Sequence, residues 1–178
     1  MPIGFLGCGP SGVGKTSHFK EMLHQAGIKN VQLFDPDVRS EPDHADRSAG
    51  ALKDVQDAIE AGESFGYTAT CAAVRIIKDL IKRMKAKKYR IVIAIVYTDL
   101  PTALKRIDGR SQKVPGSVVE DLHAYFKKQA EKYMKMDVDL YLYNNQQEFS
   151  LLLSRKNKKI VCRSGDTDFY FDISKYCS

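Results

Sequence analysis

Gly9-Pro10-Ser11-Gly12-Val13-Gly14-Lys15-Thr16 is the stretch of this sequence with the most chemistry in it. It matches G-x-x-x-x-G-K-[ST] at every fixed position, the pattern of a loop that wraps the phosphate tail of a nucleoside triphosphate. Gly12 and Gly14 open backbone conformations closed to other residues, so successive N–H groups can turn inward around phosphate oxygens. Lys15 reaches the β- and γ-phosphates as a mobile point charge. The Thr16 hydroxyl is a hard oxygen donor suited to Mg²⁺. Gly9 to Ser17, which includes Val13 and Pro10, are therefore the candidate ATP-binding residues, with Thr16 the candidate metal ligand.

Such loops serve kinases, GTPases, motors and transporters alike, so the remaining residues must decide between them. No N-K-x-D guanine-reading motif and no L-S-G-G-Q run is present. Two other features suit phosphoryl transfer to a hydroxyl. Asp35-Pro36-Asp37-Val38-Arg39 follows the second expected strand, where α/β sheets hold their ligands. An aspartate there can take the acceptor's proton or hold the metal, and Arg39 can neutralise an anionic acceptor. An Asx-capped turn is the structural alternative. Arg106 and Arg110, one helical turn apart, could close over the transferring phosphoryl group as a water-excluding lid. A basic surface loop is the alternative there.

The elements that must position these groups are legible from periodicity. Strands are expected at 2–8, 31–34, 65–70, 91–97, 138–143 and 159–162. Helices are expected at 15–26, 45–61, 72–87, 101–107 and 117–135. Ser117 with Glu120 has the capping-box spacing, and Asp99 before Leu100-Pro101 reads as a helix-entry cap, with a metal contact as its alternative. Strands alternating with helices imply an α/β fold of three layers, a mainly parallel sheet flanked by helices, carrying a short arginine-bearing lid. No linker divides residues 1–178, so a single domain is expected.

Composition is that of an ordinary globular chain of 178 residues, with a net charge of +6. Lys82–Lys88 and Arg155–Lys159 are basic clusters, read either as solvated faces or as a field that attracts nucleic acid. The apolar run at 91–97 is far too short to span a bilayer. Cys8, Cys71, Cys162 and Cys177 are scattered, which favours reduced thiols in a cytoplasmic protein. His18, His24, His44 and His123 show no metal-ligand spacing and read as surface or packing residues.

With these pieces in order, the chain resembles the zeta-toxin-like group of P-loop kinases, relatives of small-molecule and polynucleotide kinases. The resemblance runs from about Ile3 to Asn145. It rests on the loop, Asp35-Pro36-Asp37, Ala58–Phe65, Ala103–Arg106 leading to Lys113-Val114-Pro115, and Asp139–Asn145. It implies that Asp37 is the base and that Arg106 and Arg110 stabilise the transferred phosphate. Lys15, Asp37, Arg106 and Arg110 are then the candidate catalytic residues, and Asp35, Arg39, Thr68 and Thr70 the candidate acceptor contacts. Thr68-Ala69-Thr70 stands where the group has Glu-Thr-Thr, so an acidic acceptor contact is missing. Gln112 replaces a histidine before the Val-Pro pair, and the lid is shorter. A lost carboxylate on a basic protein favours a negatively charged acceptor: a nucleotide or a nucleic-acid hydroxyl, including a hydroxymethylated base in DNA. The alternatives are a nucleotide-sugar kinase and a nucleotide-dependent nucleic-acid-binding regulator without kinase activity.

Overall fold

The computed structural model describes residues 1–109, 114–163 and 168–177. Seven strands form one sheet: β1 (Ile3–Cys8), β2 (Gln32–Phe34), β3 (Phe65–Ala69), β4 (Arg90–Tyr97), β5 (Asp139–Asn144), β6 (Ser150–Lys156) and β7 (Lys159–Cys162). Their order is β2-β3-β1-β4-β5-β6-β7, parallel from β2 to β5 and antiparallel across β5-β6-β7. Five α-helices connect them: α1 (Phe19–Gln25), α2 (His44–Ala61), α3 (Val74–Ala86), α4 (Leu100–Asp108) and α5 (Gly116–Ala130).

Both faces of the sheet are covered, which is why β4 is apolar without alternation, Ile91 to Val96 being buried throughout. On one face α1 sends Phe19, Met22 and Leu23 against Phe5, Val92, Ala94, Val96, Tyr141 and Tyr143. On the other, α2, α3 and α5 pack Val55, Ile59, Leu80, Met84 and Phe126 over Leu6, Ile93, Ile95 and Leu142. The mainly parallel α/β sandwich expected from the sequence is the observed architecture.

Several local expectations need correction. The helix after the loop begins at Phe19, not residue 15; the preceding turn is irregular, with Phe19 N–H bonding three residues back to the Thr16 carbonyl. No capping box opens α5: Pro115 occupies the cap position and Ser117 already lies inside the helix. Strand β6 had no expected counterpart. It belongs to a hairpin whose turn residues Asn157 and Lys158 have φ of 50° and 67°, the paired positive φ of a two-residue turn. Arg155–Lys159 is that hairpin's tip. The cysteines are not free thiols: Cys8 is bonded to Cys71 and Cys162 to Cys177, each pair joined by folding rather than by sequence proximity.

Sheet order reverses at β1, whose neighbours β3 and β4 lead to opposite sides. A crevice must open at the C-terminal edge there. The phosphate-loop sequence sits directly after that strand.

Candidate functional site

Gly9, Gly12 and Gly14 adopt φ of 144°, 84° and 95°, conformations that L side chains rarely reach. Space makes the same demand. A Cβ on Gly12 would lie 2.6 Å from the Ala103 carbonyl oxygen, and one on Gly14 would collide with the Asn145 amide. The loop is thus clamped between α4 and the end of β5. Gly9 N–H donates to the Thr70 carbonyl, fixing the loop's start to the end of β3. Lys15 curls back over the loop, donating to the carbonyls of Gly9 at 2.7 Å and Pro10 at 3.0 Å. Pro10, Gly12 and Val13 are buried, whereas Thr16 and Ser17 are exposed.

The short 3-10 turn Pro36–Val38 after β2 brings two carboxylates to the same place. Asp35 is buried; one oxygen accepts the Thr16 hydroxyl at 2.6 Å and the other accepts Asp37 N–H at 2.9 Å. Asp35 therefore performs the Asx turn and also faces the loop. Asp37, projected by that turn, is exposed. Ser11, Lys15, Thr16, Asp35, Asp37, Thr68 and Thr70 line one cavity of about 140 Å³, together with His44 and Ser48 of α2 and Tyr67 of β3. Burial foremost, then the charge of Asp35, raises the Tyr67 phenol above its ordinary value.

Arg39 does not line that cavity. Its guanidinium is taken by Glu41, at 2.6 Å, and by Asp54. Arg106, half-buried at the end of α4, donates to the Asn145 carbonyl at 2.7 Å and the Gly12 carbonyl at 3.5 Å. It therefore lies against the loop's carbonyl side, and it does not line the cavity that holds Asp37. Arg110 lies outside the described residues. Asp99 caps α4 through Thr102 N–H and also accepts the Gln146 amide at 2.9 Å, so the cap reading of that residue is the observed one.

Two residues of this region were not singled out for it by sequence. Asn145, 6% exposed, donates its amide to the Val13 carbonyl at 2.8 Å, tying β5 to the loop. Nothing in Asn144-Asn145-Gln146-Gln147 distinguishes it from an ordinary polar turn. His123 of α5 is buried with Nε2 unpartnered. Burial foremost, then the positive charge of Lys15, lowers its pKa, while Asp99 and the Ser11 main chain act the other way. Only a helical-wheel argument placing His123 on the buried face of α5 could have suggested it.

No family model and no curated protein matches this chain. Solved structures do. A complex of AvrRxo1-ORF1 and AvrRxo1-ORF2 with ATP aligns with a TM-score of 0.68 at 15% identity, over 91% of this chain and 60% of that one. A chain of the PezAT toxin-antitoxin system of Streptococcus pneumoniae aligns at 0.60 and 18% identity, over 86% and 72%. A gluconokinase from Sinorhizobium meliloti 1021 aligns at 0.57 and 12% identity, over 80% and 82%. The chain spans about three-fifths of the AvrRxo1 chains it matches. At such identities the likeness is one of fold alone: a mostly parallel α/β sheet flanked by helices.

Proposed function

We propose that this chain is an ATP-dependent kinase that transfers the γ-phosphate to a hydroxyl of a nucleotide or nucleic-acid acceptor, a hydroxymethylated base in DNA included. The observation that carries this reading is the meeting of the loop with Asp35 and Asp37 in one cavity, through the 2.6 Å bond from Thr16 to Asp35. One carboxylate beside the loop threonine can serve Mg²⁺ in any such site; the second, Asp37, is the group available to take an acceptor's proton. The ATP-bound structural relative supports nucleotide binding.

Loop amides beyond Pro10 and the Lys15 ammonium would hold the triphosphate, Lys15 exchanging the Gly9 and Pro10 carbonyls for phosphate oxygens. The Thr16 hydroxyl and Asp35 carboxylate are hard oxygen donors that fit Mg²⁺. When bound, that ion would neutralise charge on the β- and γ-phosphates. Asp37 takes the proton of the acceptor hydroxyl as its oxygen bonds to the γ-phosphorus. The bond from that phosphorus to the β-bridging oxygen breaks, and ADP leaves. Arg106 is assigned a contact with the phosphate tail, for which it would have to leave the Gly12 and Asn145 carbonyls, and Arg110 is assigned the second contact on its spacing alone. Positioning and electrostatics supply most of the catalysis in such a site.

Cytoplasm, where ATP is made, is the compartment of this reading. No helix among the described residues is long and apolar enough to cross a membrane. The two disulfides argue the other way, and in a reducing compartment both would open to thiols.

The test is an acceptor screen with γ-labelled ATP over nucleosides, nucleotides, nucleotide sugars and DNA with modified bases. Label on a nucleotide or nucleic-acid hydroxyl is the expected result. Label confined to nucleotide sugars would move the acceptor class. Salt-sensitive nucleic-acid binding with release of free phosphate only would replace the kinase by a nucleotide-dependent regulator.

A further inference from the structure

The two basic runs of the sequence, Lys82–Lys88 and Arg155–Lys159, meet at the end of the sheet opposite the phosphate loop. Lys85 near the end of α3 and Lys158 at the tip of the β6–β7 hairpin reach the same carboxylate, Asp137, at 3.4 and 4.0 Å. Both line one cleft with Lys135, Arg90 and Arg155. Residues 82–90, 135–139 and 155–159 hold eleven basic and two acidic side chains, against a net charge of +6 for the whole chain. The rest of the chain is therefore net negative, and the positive charge is gathered here. The two arginines of the cleft are used by the fold. Lys82, Lys88, Lys135, Lys156 and Lys159 are exposed, and none has an ion-pair or hydrogen-bond partner among the described residues.

Lysine is also kept at this end where the backbone favours another residue. Helices α1, α2 and α3 close with the same long-range bond, from Ile28 to Leu23, Glu63 to Ala58 and Tyr89 to Met84, each after one left-handed residue. In α1 and α2 that residue is Gly27 or Gly62, at φ 69° and 73°; in α3 it is Lys88, at 59°. The hairpin places Lys158 at 67°. A Cβ is unfavourable in that conformation. Lys156 and Lys159 stand directly opposite each other across the hairpin, where like charges repel. Solubility alone does not require lysine at these positions. Contact with a dense row of negative charge does.

The surface also says which polyanion fits. Tyr89, the aromatic residue of these segments, is buried and donates its hydroxyl to the Ala58 and Glu63 carbonyls, so no ring is offered to unpaired bases. Besides Met1, the large exposed apolar side chains beside the hairpin are Ile160 and Val161. Consecutive on β7, they face opposite ways and make no apolar stripe for a lipid surface. We propose that this end of the sheet is a docking surface for a nucleic-acid duplex, held through its phosphates without regard to base sequence. It lies beyond the phosphate loop by the length of β4, eight residues, or about 26 Å. The proposal therefore stands apart from the kinase reading.

Fluorescence anisotropy of the full-length protein with a labelled DNA duplex, in the absence of nucleotide, tests it. Duplexes of unrelated sequence should bind alike, with a log–log salt slope of about −4. Lys88→Gly combined with Lys158→Gly should weaken binding about tenfold and make the slope shallower by about two. Tm should hold or rise, because glycine relieves both left-handed positions; a damaged fold would lower both readings together. The charge-matched pair Lys20→Gln with Lys78→Gln, exposed positions early in α1 and α3, should change affinity less than about twofold. Saturating Mg–ATP should leave duplex binding unchanged. Equal loss in the two double variants, competition by Mg–ATP, or no duplex binding at low salt would overturn the proposal. So would binding confined to phosphatidylserine vesicles, which would make the partner a membrane. None of these outcomes bears on phosphoryl transfer, which the acceptor screen tests separately.

Discussion

The two ends of the sheet treat buried polar groups in opposite ways. At the N-terminal end of the parallel strands lies the larger cleft, about 600 Å³, lined by Arg90, Asp139, Arg155 and neighbours. Its charges are answered from within. Arg155 donates to the carbonyls of Met134, Met136 and Val138. Arg90 donates to Asp139 at 3.1 Å and to the Ala26 carbonyl at 2.9 Å, and Asp139 also accepts Asn157 N–H. At the C-terminal end the cavity is smaller, yet Thr68, Thr98, His123, Tyr143 and Gln146 each hold a buried polar atom without a partner. Volume therefore points to one end and unmet hydrogen bonding to the other. Self-satisfied polar groups hold a fold together, whereas unsatisfied ones, costly to keep, call for a partner from outside the chain, whether water or ligand.

Substitutions at the two ends should separate accordingly. Asp37→Asn should have the largest effect, lowering kcat about a thousandfold through loss of the base while Mg–ATP affinity and Tm stay as in the wild type. Single-turnover transfer and a melting curve check both halves; a fall in Tm would make Asp37 structural like the residues of the opposite end. Arg155→Ala should do the reverse. It strands three carbonyls and should cost about 2–3 kcal/mol, or about 5–10 °C in Tm, with kinetic constants unaltered at low temperature.

His123 gives the smallest and most diagnostic effect. Its folded-state pKa lies below the ordinary 6.5, from burial first and then Lys15. Below pH 6.5 the unfolded chain binds more protons than the folded one, so stability declines as pH falls, until the folded imidazole also titrates. His123→Gln should make the decline of Tm between pH 7 and 5 shallower. An identical slope in both proteins would mean that His123 is not the group responsible.

How much of this could be read beforehand divides along the same line. The loop was legible because its glycines answer to backbone constraints that act within a few residues, and β4 because burial on both faces leaves a continuous apolar run. Helix α2 ends at Gly62, in the left-handed conformation at φ 73°, a local rule again. Asn145 and His123 acquire their meaning only when β5 and α5 converge on the loop, and no spacing encodes that convergence. Strand β6 was hidden because its hairpin turn uses Asn157-Lys158 in place of a glycine pair. The cysteine pairs were hidden because folding brings them together, Cys8 and Cys71 standing 63 residues apart. Arg39 shows the converse: well placed in sequence, it is claimed by Glu41 two residues on and by Asp54 of α2, a pairing that helical periodicity does not reveal.

The assignment of function to the C-terminal end is tested most directly by calorimetric titration of Mg–ATP into wild type, Lys15→Ala and Arg155→Ala at a temperature where all three are folded. Wild type and Arg155→Ala should bind alike, and Lys15→Ala should lose at least about a hundredfold in affinity, the order expected for a charge-assisted phosphate contact. Undiminished binding by Lys15→Ala, or loss of binding in Arg155→Ala instead, would contradict the account.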